Sequence, residues 1–280
     1  MRWAFWIAVT FVVLLGGVYF ALTQEQLKLA RDNLENGLVA HWKFEEGAGS
    51  AVKDVSNHGN DGTIVPANIP EPKWGTGEFA GSVLLSGGHD HHVRIPSSAS
   101  LNTVKKQITV AAHIYPKTLW SAEARSNPFI VVVQRQWKDT VHPDLFYLGY
   151  GPKNNALRYK WHLGLVDSDM SLYRLPESED KPRVGEWVHL AGTYDGETGK
   201  MFLYVNGDRI GKKVRVGEIR LDSESLHTPL VIGAEINGPN IDDATGEFNG
   251  YVDDVRIYDR ALSDAEIKIL AEEARDRTNR

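Results

Sequence analysis

Residues 185–211 read GEWVHLAGTYDGETGKMFLYVNGDRIG, and residues 248–270 read FNGYVDDVRIYDRALSDAEIKIL. In the first stretch, Trp187 to Gly192 alternates with period two, which predicts a strand that is buried on at least one face. Met201 to Val205 predicts a strand that returns beside it, and Asn206-Gly207 is a strong short signal for a hairpin turn. This stretch therefore predicts neighbouring antiparallel strands.

The second stretch predicts a strand followed by a short helix. Tyr251 to Tyr258 carries the β-branched and aromatic residues that strands prefer. Ser263 and Glu266 are spaced as a capping box, in which the serine accepts from a helix amide and the glutamate accepts from the serine N–H. A closing helix after the last strand is therefore expected.

Further strand-like runs lie between the two ends of the chain, separated by clusters of Gly, Pro, Asn and Asp. Runs of this kind predict an all-β sandwich rather than alternating strands and helices. The runs are Ser82–Leu85, His91–Ile95, Ile108–Tyr115, Phe129–Gln134, Leu145–Tyr150, Leu157–Leu165 and Leu230–Ala234.

Four pieces of sequence, in this order, resemble the laminin-G-like, concanavalin A-like jelly-roll family of bacteria. They are VAHWKFEEGAG at Val39–Gly49, KDVSNHGNDGT at Lys53–Thr63, and the two stretches quoted above. His58 stands where that family more often has a small residue. The resemblance implies an antiparallel jelly-roll β-sandwich with a short C-terminal helix over residues 38–272, followed by a charged tail at 273–280.

The amino-terminal end predicts a membrane anchor. Trp3 to Leu22 is an apolar run without charge, and at about 1.5 Å per residue it is long enough to cross a hydrocarbon core of about 30 Å. We expect a transmembrane helix within residues 1–23 and a helical juxtamembrane stem at 24–37. A signal peptide cleaved near Thr23 is the alternative. Flanking charges leave the orientation open, whereas the resemblance implies a single-pass protein with most of the chain outside the cytoplasm.

Composition excludes several classes of function. The chain has no cysteine, so disulfide frameworks and cysteine metal motifs are impossible. Its net charge of −6 argues against nucleic acid as a partner, because phosphate backbones require a basic face. The roughly 240 residues after the stem suit one domain.

Catalysis is not expected. Glycoside hydrolases of this fold place carboxylates as E-x-D-x-(x)-E on one strand, about 5 Å apart in retaining enzymes. The nearest candidate here, Asp253-Asp254, has neither flanking glutamate. Tyr159-Lys160-Trp161-His162 has the residue types of an alginate-lyase site in the wrong arrangement. Neither enzyme pattern is present, so a polysaccharide-active enzyme is only the third interpretation.

Acidic loops suggest calcium, which takes hard oxygen ligands. The resemblance implies a structural ion held by Asp54 and Asp253, with Asn57 and Asn60 contributing. Alternatively, Asp54 and Asn57 hydrogen-bond to their own turn without any ion. The cluster His89-Asp90-His91-His92 is a weaker metal candidate, because neighbours on a strand point to opposite faces.

The middle of the chain is rich in aromatic residues and suggests a glycan surface. Trp137 and Trp161 are candidates to stack on sugar rings, with Arg158 and His162 binding hydroxyls, whereas large aromatics in strands are most often core. Trp42 and Trp187 are assigned to the core. The sequence thus predicts a lectin-like module for glycan or envelope-polysaccharide binding or adhesion. The alternative is a structural envelope protein that uses the same sandwich to contact a protein partner.

Overall fold

A computed structural model describes most of the chain after the predicted anchor. Trp3–Leu22, the predicted transmembrane segment, lies outside the described residues. Within those residues, no helix is long and apolar enough to cross a membrane. The described residues are 25–65, 73–76, 81–85, 91–119, 130–136, 144–153, 156–166, 172–174, 180–214, 217–219, 227–236, 244–245 and 247–278.

The chain divides into two compact units, Met1–Asn36 and Gly37–Arg280. In the first unit, residues 25–32 are helical, as the predicted stem requires. The second unit contains the strands and the terminal helix. It begins at Gly37, whose φ of 71° lies in the left-handed region that glycine adopts without strain.

The second unit contains two large antiparallel sheets. The first sheet has the order β14-β13-β12-β7-β19-β5-β4, with β1 paired to β19. Its strands are β1 (Leu38–Trp42), β4 (Lys73–Trp74), β5 (Val83–Leu85), β7 (Gln107–Pro116), β12 (Val188–Asp195), β13 (Lys200–Val205), β14 (Asp208–Val214) and β19 (Gly250–Tyr258).

The second sheet has the order β11-β10-β9-β8-β16-β6-β3-β2, with β15 paired to β10, and β17 pairs separately with β18. Its strands are β2 (Ala51–Val52), β3 (Gly62–Val65), β6 (His92–Ile95), β8 (Ile130–Gln136), β9 (Asp144–Lys153), β10 (Ala156–Val166), β11 (Leu172–Arg174), β15 (Glu218–Ile219) and β16 (Leu230–Ile232). The small pair is β17 (Glu235–Ile236) and β18 (Ala244–Thr245).

The all-β sandwich predicted from the sequence is confirmed, including its hairpin. Asn206 and Gly207 join β13 to β14 with φ values of 52° and 85°. Positive φ at both central residues is the conformation that matches the twist of the flanking strands. Each of the seven strand-like runs in the sequence falls on an observed strand. Alternation and turn residues predict the same strand boundaries, which is why these predictions succeed.

The core lies between the two sheets and is dominated by large side chains. Trp42 and Trp161 are fully buried, and each contributes roughly 1.5–3 kcal/mol or more on leaving water. The Trp42 indole N–H donates to the Asn60 carbonyl at 2.8 Å. Trp161 lies directly on Gly192 of the opposite sheet, where any added Cβ would collide with the indole. Gly192 therefore sets how closely the sheets approach.

The terminal helix, Asp264–Thr278, packs on the outside of the first sheet. Its predicted capping box is confirmed: the Ser263 N–H donates to Glu266 at 2.8 Å, and the Glu266 N–H donates to the Ser263 hydroxyl at 3.3 Å. Ile267 and Leu270 are buried. A Cβ on Gly207 would lie 3.3 Å from the Ala271 Cβ, so the β13–β14 hairpin touches this helix. The helix is therefore part of the fold, not an appendage.

Candidate functional site beneath the terminal helix

The predicted calcium loop is held together by its own hydrogen bonds. Asp54 Oδ1 accepts from the backbone N–H groups of His41 and Ser56, both at 2.9 Å. Its Oδ2 accepts from the Ser56 hydroxyl at 2.9 Å and from the Asn60 N–H at 2.8 Å. Asp54 therefore acts as the cap of its own loop, which is the alternative to an ion.

The asparagines of the same loop have structural contacts of their own. Asn60 is buried, its amide donates to the Val39 carbonyl at 2.8 Å, and its side-chain oxygen accepts from the hydroxyls of Ser98 and Ser100. Asn57 is exposed and has a φ of 71°, as a turn residue tolerant of the left-handed region does. The side-chain oxygens of Asp54 and Asn60 therefore already accept hydrogen bonds within the protein.

Asp253, the other predicted ligand, lies on β19 opposite His113 of β7. Among the described residues, no three or more His, Asp or Glu side chains lie close enough together to bind a metal ion. His91 and His92 are both buried, and His89 and Asp90 lie outside the described residues. Asp54 and Asn60 thus accept hydrogen bonds from protein groups, and a calcium ion held by Asp54, Asn57, Asn60 and Asp253 stays a prediction.

The predicted stacking role of Trp161 is corrected by its burial. The indole is 0% exposed, and its N–H donates to the Thr193 carbonyl at 3.3 Å. Alternation explains this: Tyr159, Trp161 and Leu163 share the face of β10 that packs into the core. Trp161 thus has no free face for a sugar ring. Trp137 lies outside the described residues.

The predicted polar partners of those tryptophans take the alternate positions of the same strand. Arg158 is half-buried and donates to the Leu157 carbonyl at 2.8 Å. His162 is paired with Tyr147 of β9, and only its backbone is described. The Tyr147 hydroxyl lies 2.9 Å from the carbonyls of Ile130 and Tyr150. Most of the described side chains of β8, β9 and β10 are buried.

A second polar region, which was not among the sites predicted from the sequence, lies on the outer face of the first sheet. His189, His113 and Asp253 are directly opposite one another on β12, β7 and β19, so they share one face. A bulge after Asp253 gives Asp254 a φ of 49°. Because a bulge re-aims side chains, Asp254 joins this face and the pattern resumes at Arg256.

Ion pairs link this face to the terminal helix. Asp254 contacts His41 Nε2 at 2.6 Å and Arg256 Nε at 3.0 Å, and Arg256 reaches Glu273 of the helix at 3.4 Å. Burial alone would lower the pKa of Arg256, but the charge of Asp254 raises it above its ordinary value. Arg256 is therefore a permanent cation that holds helix and sheet together. We call this region, His41, His113, His189, Asp254 and Arg256, the helix-covered face.

His189 is the most unusual group of the helix-covered face. Its backbone N–H donates to the Asn206 side chain at 2.9 Å, while its ring Nδ1 is buried and has no hydrogen-bond partner. Burial lowers the pKa of His189 to about 4, with Asp254 opposing and Arg256 assisting the shift. The imidazole is therefore neutral near pH 7. A buried polar atom without a protein partner calls for an explanation, and a ligand or a water that hydrogen-bonds to it is one.

A cavity of about 210 Å³ lies between the helix-covered face and the terminal helix. Trp187 forms part of its wall. This indole is half-buried and stacks on the His113 ring with centroids 4.5 Å apart. The assignment of Trp187 to the core is therefore wrong: it precedes β12, outside the packed face of the sheet. The lining, which we call the helix cavity, consists of His113, Trp187, His189, Asn206, Lys268, Ala271, Glu272 and Arg275.

The sequence does contain one feature that marks this site. Histidines recur at outward positions of three strands: His41, His113 and His189. Each was visible as a polar residue inside an otherwise apolar strand. Which strands are neighbours, and that a helix covers them, follows only from the order β12-β7-β19. The bulge at Asp254 is a further local feature without a residue pattern of its own.

The fold and this arrangement define a lectin-like jelly-roll sandwich. The family model described as the concanavalin A-like lectin/glucanases superfamily, of the third laminin-G type, matches residues 86–268. The chain belongs to this family, as the resemblance in its sequence implied.

Curated relatives match part of the chain. The pentraxin-related protein PTX3 of Mus musculus is 34% identical over 88 residues, which cover 30% of this chain and 23% of that protein. The Homo sapiens protein of the same name is 34% identical over 129 residues, covering 42% of this chain and 32% of that protein. The chain therefore spans less than a third of the length of these relatives.

Solved structures match over most of the chain at low identity. Domain 4 of the extracellular arabinanase AbnA from Geobacillus stearothermophilus, solved in complex with arabinotriose, has a TM-score of 0.58 at 20% identity and covers 84% of this chain and 98% of its own. The binding domain of Paraclostridial Mosquitocidal Protein 1 has a TM-score of 0.58 at 17% identity, covering 86% and 53%. These likenesses describe the fold.

Proposed function

We propose that this protein is a non-catalytic carbohydrate-binding module, and that the helix cavity is its glycan site. The observation that carries the proposal is the half-buried Trp187 beside hydrogen-bonding groups in one cavity. Ligand sites combine an apolar or aromatic wall with a few placed polar groups. A sugar ring presents apolar C–H faces and hydroxyls together, so it matches both parts of this lining.

Three further points support a binding role. The chain belongs to a lectin-like family, and a domain of similar fold was solved in complex with arabinotriose. Asp254, the carboxylate nearest to a catalytic pattern, is committed to His41 and Arg256. A carboxylate held in this way offers no free acid or base for glycoside hydrolysis, which uses two.

A second surface on the middle strands stays a prediction. Arg158 and His162 occupy alternate positions of β10, and Trp137 follows β8 in sequence. Should that surface bind glycan, Arg158→Ala would weaken binding while Glu272→Ala would not. The two sites therefore have separate genetic tests.

The experiment is a glycan array probed with the full chain, with and without chelator, in wild type and two tryptophan variants. We expect Trp187→Ala to weaken binding by roughly 1–3 kcal/mol, by analogy with bases stacked on aromatics, or about tenfold per 1.4 kcal/mol. Trp74→Ala is the matched control, because Trp74 is also half-buried but lies on β4, away from the helix cavity. Both variants need melting curves to establish that they fold.

Equal binding by wild type and a folded Trp187→Ala variant would remove the helix cavity from the proposal. An array with no signal would favour the structural envelope role, in which the sandwich contacts a protein. The observation that favours that second function is that every described aromatic side chain of β8, β9 and β10 is buried, so these described residues offer no ring for a sugar to stack on.

We further propose that the Trp3–Leu22 segment remains attached as a membrane anchor and holds the module outside the cytoplasm. Its apolar length is the support. Mass spectrometry of the protein isolated from its native membrane measures the mature amino terminus. A terminus near Gln24 would instead identify a cleaved signal peptide.

A further inference from the structure

The size of the helix cavity limits what it can hold. Its volume of about 210 Å³ is below the roughly 300–1,000 Å³ of sites for drug-sized ligands. It therefore matches a single sugar ring rather than several. A site for an oligosaccharide would need a longer groove.

The first sheet and the terminal helix contact each other beside the helix cavity. At the hairpin, a Cβ on Gly207 would lie 3.2 Å from the Lys268 Cα and 3.3 Å from the Ala271 Cβ, so hairpin and helix are in direct contact. The Arg256–Glu273 pair at 3.4 Å also ties the helix to the sheet. A glycan can enter such a cavity with one end, but an internal unit would need both ends free.

The polar groups of the lining both donate and accept. The side chains of Lys268 and Glu272 make no hydrogen bond or ion pair with any other residue that the structure describes. Asn206 Oδ1 is occupied by the His189 N–H, which leaves the Asn206 amide hydrogens facing a ligand as donors. The buried Nδ1 of His189 adds a group that lacks a partner. Hydroxyl groups, which donate and accept at once, satisfy this mixed set.

The charges around the helix cavity nearly cancel. Lys268 and Arg275 line it beside Glu272, while Arg256 lies behind with its carboxylate partners. The surrounding charged groups are the cations Arg256, Lys268 and Arg275 and the carboxylates Asp253, Asp254, Glu272 and Glu273, with His41 on Asp254. Among the described groups around the cavity, the three cations are balanced by four carboxylates, so no excess of positive charge selects a carboxylated or sulfated sugar.

We propose that the helix cavity recognises one neutral sugar unit at the end of a glycan chain, with Trp187 against the ring and Glu272, Asn206 and Lys268 on its hydroxyls. This inference rests on the proposed carbohydrate-binding function and adds the kind of unit and its position in the chain. The module is thus a reader of chain ends rather than of internal segments.

The test is a calorimetric titration of the full chain with a length series of defined sugars. The probes are methyl glycosides of arabinose, glucose, galactose and mannose, their linear trimers and hexamers, and glucuronate and galacturonate. We expect the best neutral series to bind with dissociation constants within about threefold of one another across the three lengths. Both uronates should bind no more tightly than the matching neutral sugar, since the carboxylates around the cavity offset the attraction of Lys268 and Arg275 for another carboxylate.

A pair of surface variants checks the location without risk to the fold. Glu272→Ala should weaken binding at least fivefold at every length, whereas Asp276→Ala, exposed on the same helix and outside the lining, should bind like wild type. Affinity that rises tenfold or more from the monomer to the hexamer would overturn end recognition. A preference for uronate would overturn the neutral ligand. Each of these results leaves glycan binding intact, whereas no binding by any probe overturns the proposed function itself.

Discussion

Trp161 and Trp187 lie in opposite environments. Trp161 of β10 is one residue of a regular alternation and is driven into the core against Gly192. Trp187 precedes β12, stays half-buried, and borders the helix cavity. The described aromatic side chains of the middle strands are buried. The candidate site, the helix cavity, lies where polar residues interrupt apolar strands. Polar residues on a buried sheet face are therefore the more informative signal, because burying them without a partner is costly.

Removing the terminal helix should have the largest effect on stability, because the helix covers the outer face of the first sheet. Ending the chain after Ala261 exposes the helix-covered face, including the Asp254–Arg256 pair, and deletes buried Ile267 and Leu270. We expect loss of the cooperative melting transition and of the near-ultraviolet circular dichroism. A chain ending at Thr278 is the control. A truncated protein that melts like the control would show that the helix is dispensable.

Alanine at the two tryptophans should have opposite consequences. Trp161→Ala leaves a void between the sheets and should cost about 3–5 kcal/mol of folding free energy. Trp187→Ala removes a half-buried ring and should cost clearly less, while it weakens glycan binding. Urea denaturation of both variants measures the difference. Similar losses of stability would mean that Trp187 is a core residue after all.

The acid sensitivity of the fold should trace to the helix-covered face. The pKa of His189 falls from its ordinary 6.5 to about 4 because the ring is buried, so the unfolded chain binds a proton that the native state does not. Stability is then complete above about pH 6.5 and decreases as the pH falls toward 4, by up to roughly 3 kcal/mol. Denaturation between pH 7 and 4 should show this slope in wild type and less of it in His189→Gln. Identical slopes would contradict the assignment.

The loop around Asp54 should give the smallest effect of the four. Asp54→Ala leaves the N–H groups of His41, Ser56 and Asn60 without their acceptor, which should cost about 1–3 kcal/mol. Because the side chain caps its own loop, chelator should not change the melting temperature of either wild type or variant. Melting that falls in chelator for wild type alone would restore the calcium interpretation.

The sequence predicted the architecture well because its signals were local. Hairpin residues, the capping box at Ser263 and Glu266, and alternation in each strand fix elements within a few residues. At Asp54 the sequence was compatible with a side chain that caps its own turn and with a calcium ligand, since both need the same residue type. The candidate site was not predictable in the same way. His41, His113 and His189 come from distant segments, and only the pairing of β1, β19, β7 and β12 brings them together.

The most direct test of the helix cavity is an NMR titration that follows the indole N–H signals of the tryptophans during addition of the best-binding neutral methyl glycoside. Trp187→Phe and Trp161→Phe assign the two signals. The Trp187 signal should shift with a saturating dependence on sugar concentration, while the Trp161 signal, buried beneath Gly192, should stay in place. A saturating shift at Trp137 or Trp161 with an unmoved Trp187 signal would place the glycan on the middle strands and contradict this account.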